Sequence, residues 1–70
     1  MSDKITIQLN GEQRQLLPSA TIADLLTEME LAGRRVAVEV NLEIIPRSGY
    51  EQYALNAGDR VEVVHAIGGG

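Results

Sequence analysis

The inventory of reactive side chains is short. His65 is the one histidine and there is no cysteine, which excludes thiol nucleophiles, thiolate metal sites and disulfides. The sequence has no His-Glu metal motif and no glycine-rich phosphate loop between a strand and a helix. His65 lacks a paired carboxylate in local sequence, so it reads as contact surface at a strand end rather than as an acid or base. Independent catalysis is not expected.

What remains is Gly68, Gly69 and Gly70, directly after an alternating apolar segment. With no element after them in the sequence, they are not expected to serve as a turn. Ordering backbone costs roughly 1 to 2 kcal/mol per fixed residue, and most for glycine, so this stretch is expected to be a flexible tail until something binds it. Without Cβ atoms, Gly68 and Gly69 can thread a narrow channel and bring the terminal carboxylate of Gly70 to a buried centre. A free carboxylate is a poor electrophile and needs a better leaving group. Adenylylation by a partner using ATP and Mg supplies one, and sulfur delivered to the acyl-adenylate leaves a thiocarboxylate with a soft nucleophilic sulfur. The chain needs no cofactor of its own for this.

Such an arm needs a scaffold. Ile5, Ile7 and Leu9 alternate with Thr6 and Gln8, the period of a half-buried strand over about 4–9. Asn10-Gly11 suits a type I′ turn, so residues 12–17 are predicted to return antiparallel. Pro18 ends that strand, and Thr21 with Asp24 marks a helix start. Ile22, Leu25, Leu26 and Met29 form one apolar stripe, and the spacing predicts about three turns ending near Gly33, with Arg34 close to the last carbonyls. Val36, Val38 and Val40 form a strand facing inward. Ile44 and Ile45 form a short strand before Pro46, and Ser48 with Glu51 is expected to cap a single turn packing Tyr50 or Tyr53. Residues 56–59 form a glycine-containing turn, and the last strand runs from Arg60 to about Ala66 with Val61 and Val63 inward. Parity then turns Glu62, Val64 and Ala66 outward. With Ile67, His65 and Leu42, Val64 and Ala66 make up the expected partner-binding surface, although the strip is equally compatible with packing on the short strand near Ile44.

Seventy residues, 44% of them hydrophobic and with neither Phe nor Trp, support one domain with an aliphatic core. We expect a folded domain over 1–67 and a tail over 68–70. No apolar run approaches the roughly 18 residues of a membrane span, and Met1 to Asn10 lacks a basic-then-apolar leader, so the expected location is cytoplasmic. The net charge of −4 and the six scattered Lys and Arg residues leave no footprint for nucleic acid. The element order describes an α+β layer, a mixed sheet of four to five strands covered by one main helix, which is the β-grasp or ubiquitin-like order.

Several segments together resemble a known family: Asn10-Gly11 after the first strand, Val38-Glu39-Val40-Asn41, Ile45-Pro46-Arg47, the run 56–59, and Val63-Val64-His65-Ala66-Ile67-Gly68-Gly69-Gly70. They are similar to the ThiS family, the sulfur carriers of thiamine thiazole biosynthesis, over nearly the whole chain. The resemblance implies that a ThiF-like adenylyltransferase activates Gly70, that a cysteine-desulfurase-derived persulfide supplies sulfur, and that a ThiG-like thiazole synthase receives it. Gly69 and Gly70 match the family's terminal pair. Two other functions remain open at this level: a carrier for molybdopterin or another thiolated product, and a ubiquitin-like binding module with an inert tail.

Overall fold

A computed structural model describes residues 3–65. Its strands are β1 (Ile5–Leu9), β2 (Glu12–Leu16), β3 (Val36–Val40), β4 (Glu43–Ile45) and β5 (Arg60–His65). One helix, α1 (Ile22–Glu28), and a 3-10 turn at Arg47–Gly49 complete the elements. The sheet order is β2-β1-β5-β3-β4, with β1 and β5 parallel and the other neighbours antiparallel. This is the expected β-grasp arrangement, in which the last strand enters the middle of the sheet between the first and third.

The alternation drives the layering. Ile7 and Leu9, Leu16, Val38 and Val40, and Val61 and Val63 of the sheet are buried in one core cluster with Ile22, Leu25 and Leu26 of α1 and with Leu55. Removing this aliphatic surface from water, at about 25 cal/mol per Å², is the main stabilising contribution in a chain without disulfides.

Helix α1 starts as the sequence predicts. Asp24 N–H donates to Thr21 Oγ1 at 3.1 Å and Thr21 N–H donates to Asp24 Oδ2 at 2.9 Å, a reciprocal capping box. The two preceding helix amides, which have no partner within the helix, donate instead to the loop after the 3-10 turn: Ile22 N–H to the Tyr53 carbonyl at 3.1 Å and Ala23 N–H to the Tyr50 carbonyl at 2.9 Å. The helix thereby fixes that loop, with Tyr50 buried and Tyr53 half-buried.

Its end differs from expectation. The helix stops at Glu28, not near Gly33, because Glu30 adopts φ +62° and the chain turns there. Leu31 N–H donates to the Leu26 carbonyl at 2.8 Å and Glu30 N–H to the Thr27 carbonyl at 3.0 Å, the two bonds of a Schellman motif. Half-buried Leu31 packs back against the core, so hydrophobic contact ends the helix one turn early, while Gly33 at φ +77° serves the following turn. The 3-10 turn also differs, since Pro46 precedes it and no side chain caps it.

Candidate functional site

The strand that leads toward the glycines is held centrally. On its antiparallel side β5 pairs with β3 from Val40–Val61 to Val36–His65. On its parallel side the ladder with β1 spans Gln8–Arg60 and Leu9–Val61. It continues through two main-chain bonds, from Gln8 N–H to the Asp59 carbonyl and from Asn10 N–H to the Val61 carbonyl, both at 2.9 Å.

Beyond that point the chain of β1 turns away at Asn10-Gly11, with φ values of +51° and +86°. The Asn10 carboxamide then takes the place of the missing strand. Val63 N–H donates to Asn10 Oδ1 at 2.9 Å, and Asn10 Nδ2 donates to the Val63 carbonyl at 3.3 Å. The sequence marks Asn10 as a turn residue, and nothing local signals a partner 53 positions away.

A second side-chain cluster fixes the start of β5. Buried Asp59 accepts from Asn56 N–H at 2.8 Å and from Asn41 Nδ2 at 3.1 Å, while Asn41 Oδ1 accepts from Arg60 N–H at 3.0 Å. These bonds tie the β3–β4 turn to the 56–59 turn.

The outward face of the sheet carries several of the expected contact residues. Val64 is 66% exposed and lies opposite Ala37, and the strand-end residue His65 is exposed. Ile44 is 74% exposed, level with Glu39 on β3, so the Val64 strip does not bury itself on the short strand. Glu39 and Glu62 stand directly opposite one another, an unfavourable pairing of like charges. Among the described residues the ion pair within 4.0 Å is elsewhere, Arg14 with Glu28 at 3.2 Å.

Leu42 is separated from this group. It lies in the β3–β4 turn, beyond the Val40–Val61 rung, whereas His65 is on the rung at the other end of β5. Three residues of β5, Glu62, Val63 and Val64, lie between those rungs, a separation of about 13 Å at a strand rise of about 3.3 Å per residue. Ala66, Ile67, Gly68, Gly69 and Gly70, and with them the expected boundary after residue 67, lie outside the described residues.

Among the described residues no three His, Asp or Glu side chains are grouped to hold a metal ion, and no helix is long and apolar enough to cross a membrane. A shallow groove of about 450 Å³ between α1 and the 3-10 turn, with Arg47, Ser48 and Glu51 in its lining, is on the helix side of the sheet. What the scaffold presents is therefore a strand gripped from both sides as far as Val63 and held by β3 through His65, with an apolar and acidic outward face beside it.

Comparison with known proteins fits this arrangement. A thiazole synthase of Paramagnetospirillum magneticum is 52% identical over 62 residues, which cover 89% of this chain and 19% of that protein. The chain thus spans about a fifth of that relative's length. The sulfur carrier protein ThiS of Bacillus subtilis is 40% identical over 65 residues, covering 91% of this chain and 98% of that one. The crystal structure of the thiamine biosynthesis protein ThiS from Geobacter metallireducens superposes with a TM-score of 0.78 at 28% identity, over 94% of this chain and all of that one. The model of the ThiS family matches residues 7–70, and on that match, with a relative of the same length and the same fold, the chain belongs to the ThiS family.

Proposed function

We propose that this protein is a sulfur carrier for thiamine thiazole synthesis, acting as a substrate of partner enzymes rather than as a catalyst. The observation that carries the proposal is that the family match runs through Gly70, so the glycines belong to what the family shares. The carboxylate of Gly70 attacks the α-phosphorus of ATP, held with Mg by an adenylyltransferase, and pyrophosphate leaves. A persulfide sulfur, derived from a cysteine desulfurase, then displaces AMP from the acyl carbon, and cleavage of the sulfur–sulfur bond by a thiol leaves the thiocarboxylate. Gly68 and Gly69 thread the partner's channel, and Val64, His65, Ala66, Ile67 and Leu42 contact the partner.

The thiazole synthase is the proposed sulfur acceptor. Support comes from the relative in which a segment like this chain makes up a fifth of a thiazole synthase, since a carrier and its acceptor benefit from a high effective concentration. The chemistry consumes ATP and is assigned to the cytoplasm.

Intact-mass measurement tests this. Incubation with ATP, the organism's adenylyltransferase and a sulfur donor is expected to exchange one oxygen of the chain for one sulfur. A chain lacking Gly69 and Gly70 is expected to remain folded and unmodified. Modification of that truncated chain to the same extent as the full one would overturn a terminal mechanism.

A further inference from the structure

Asn10 does more than turn the chain. Its main-chain N–H closes the parallel ladder on Val61, and its carboxamide extends that ladder by one rung through both polar groups of Val63. On the β1 side Val63 is the last residue of β5 so gripped, because β1 and β5 pair only as far as Leu9–Val61 and the chain reverses at Asn10-Gly11. Val64 and His65 follow with β3 as their paired strand, through Ala37 and Val36. Nothing about a type I′ turn requires this bond, since two glycines satisfy the same backbone geometry. The carboxamide is matched to an amide unit of the main chain, with one acceptor and one donor used together.

We infer that Asn10 is a positioning residue for the chemistry at Gly70, a side-chain rung that fixes the direction in which β5 delivers the chain to the adenylyltransferase. This role rests on the carrier function proposed above. Its physical basis is preorganisation. A strand held on both sides as far as Val63 samples fewer directions at its end, so less conformational freedom is lost when the partner takes up the residues that follow. Releasing one side widens that sampling without touching the reacting atoms, so the loss falls on productive encounter and leaves the chemical step unchanged.

Two substitutions separate the turn from the rung. Asn10→Gly keeps the left-handed backbone and removes both side-chain bonds, whereas Asn10→Asp keeps an acceptor for Val63 N–H and loses the donor. Pyrophosphate release is measured against carrier concentration, with the full chain, ATP and the adenylyltransferase. KM for Asn10→Gly is expected to rise about fivefold at unchanged kcat, with Asn10→Asp between it and the parent. Hydrogen exchange at the Val63 amide is expected to accelerate in Asn10→Gly and stay slow in Asn10→Asp.

Thr21→Ala, which removes the helix cap on the other layer, serves as the stability control and is expected to leave KM unchanged. An unaltered KM in Asn10→Gly overturns the positioning role and leaves the carrier function standing. An equal KM rise in Thr21→Ala also overturns it, because general destabilisation would then account for the effect. Failure of the parent chain to release pyrophosphate overturns the carrier function and this role with it.

Discussion

Asp59 shows how much of this small fold rests on single polar side chains. It is the buried charged residue among those described, and its two oxygens accept from Asn56 N–H and from Asn41 Nδ2. Both bonds are part-buried, so Asp59→Ala leaves two amides without their protein acceptor. A loss of about 2–3 kcal/mol is expected, measured as a lower urea midpoint, and a loss below about 0.5 kcal/mol would mean that water replaces the carboxylate freely. Asp59 was legible in sequence as part of a turn. Its contact with Asn41 was not, because the two residues are 18 apart and meet only when β3 and β5 pair.

At the scale of elements, the two hairpins make a natural comparison. Asn10-Gly11 and Asn41-Leu42 adopt similar left-handed backbones, at φ +51° and +86° for the first pair and +52° and +71° for the second. Glycine takes the last position at no steric cost, whereas a leucine there is strained by about 1–2 kcal/mol. Leu42 recovers nothing by burial, since 78% of it is exposed. Leu42→Gly is therefore expected to stabilise the domain by about 0.5–1 kcal/mol after the greater chain entropy of glycine is counted, seen as a rise of several degrees in the unfolding midpoint. A fall instead would show that Leu42 packs on the sheet more closely than its exposure indicates. The helix teaches a related lesson. Its start was readable because a capping box is local, but its end depended on Leu31 folding back onto the core, which outweighed the glycine signal at Gly33.

For the whole molecule, the two sheet faces divide a buried core from the exposed surface to which partner binding is proposed. The inward face is closed by α1, and the outward face keeps Val64, Ala37 and Ile44 exposed around the Glu39–Glu62 pair. Val64→Asp is thus expected to leave thermal unfolding nearly unchanged while weakening binding to the partner about tenfold, measured by calorimetric titration against the adenylyltransferase. Unfolding of the variant would place Val64 in the core and sink that division. By itself the sequence determined the strands, the capped helix start, and the inward and outward residues of β5, because alternation, capping and turn propensity act between near neighbours. Tertiary structure alone decided that β5 lies between β1 and β3, that Asn10 reaches Val63, and that Leu42 in the β3–β4 turn and His65 on β5 lie toward opposite ends of the sheet. Those facts depend on which distant strands pair, and pairing is settled only when the aliphatic core closes around all of them at once.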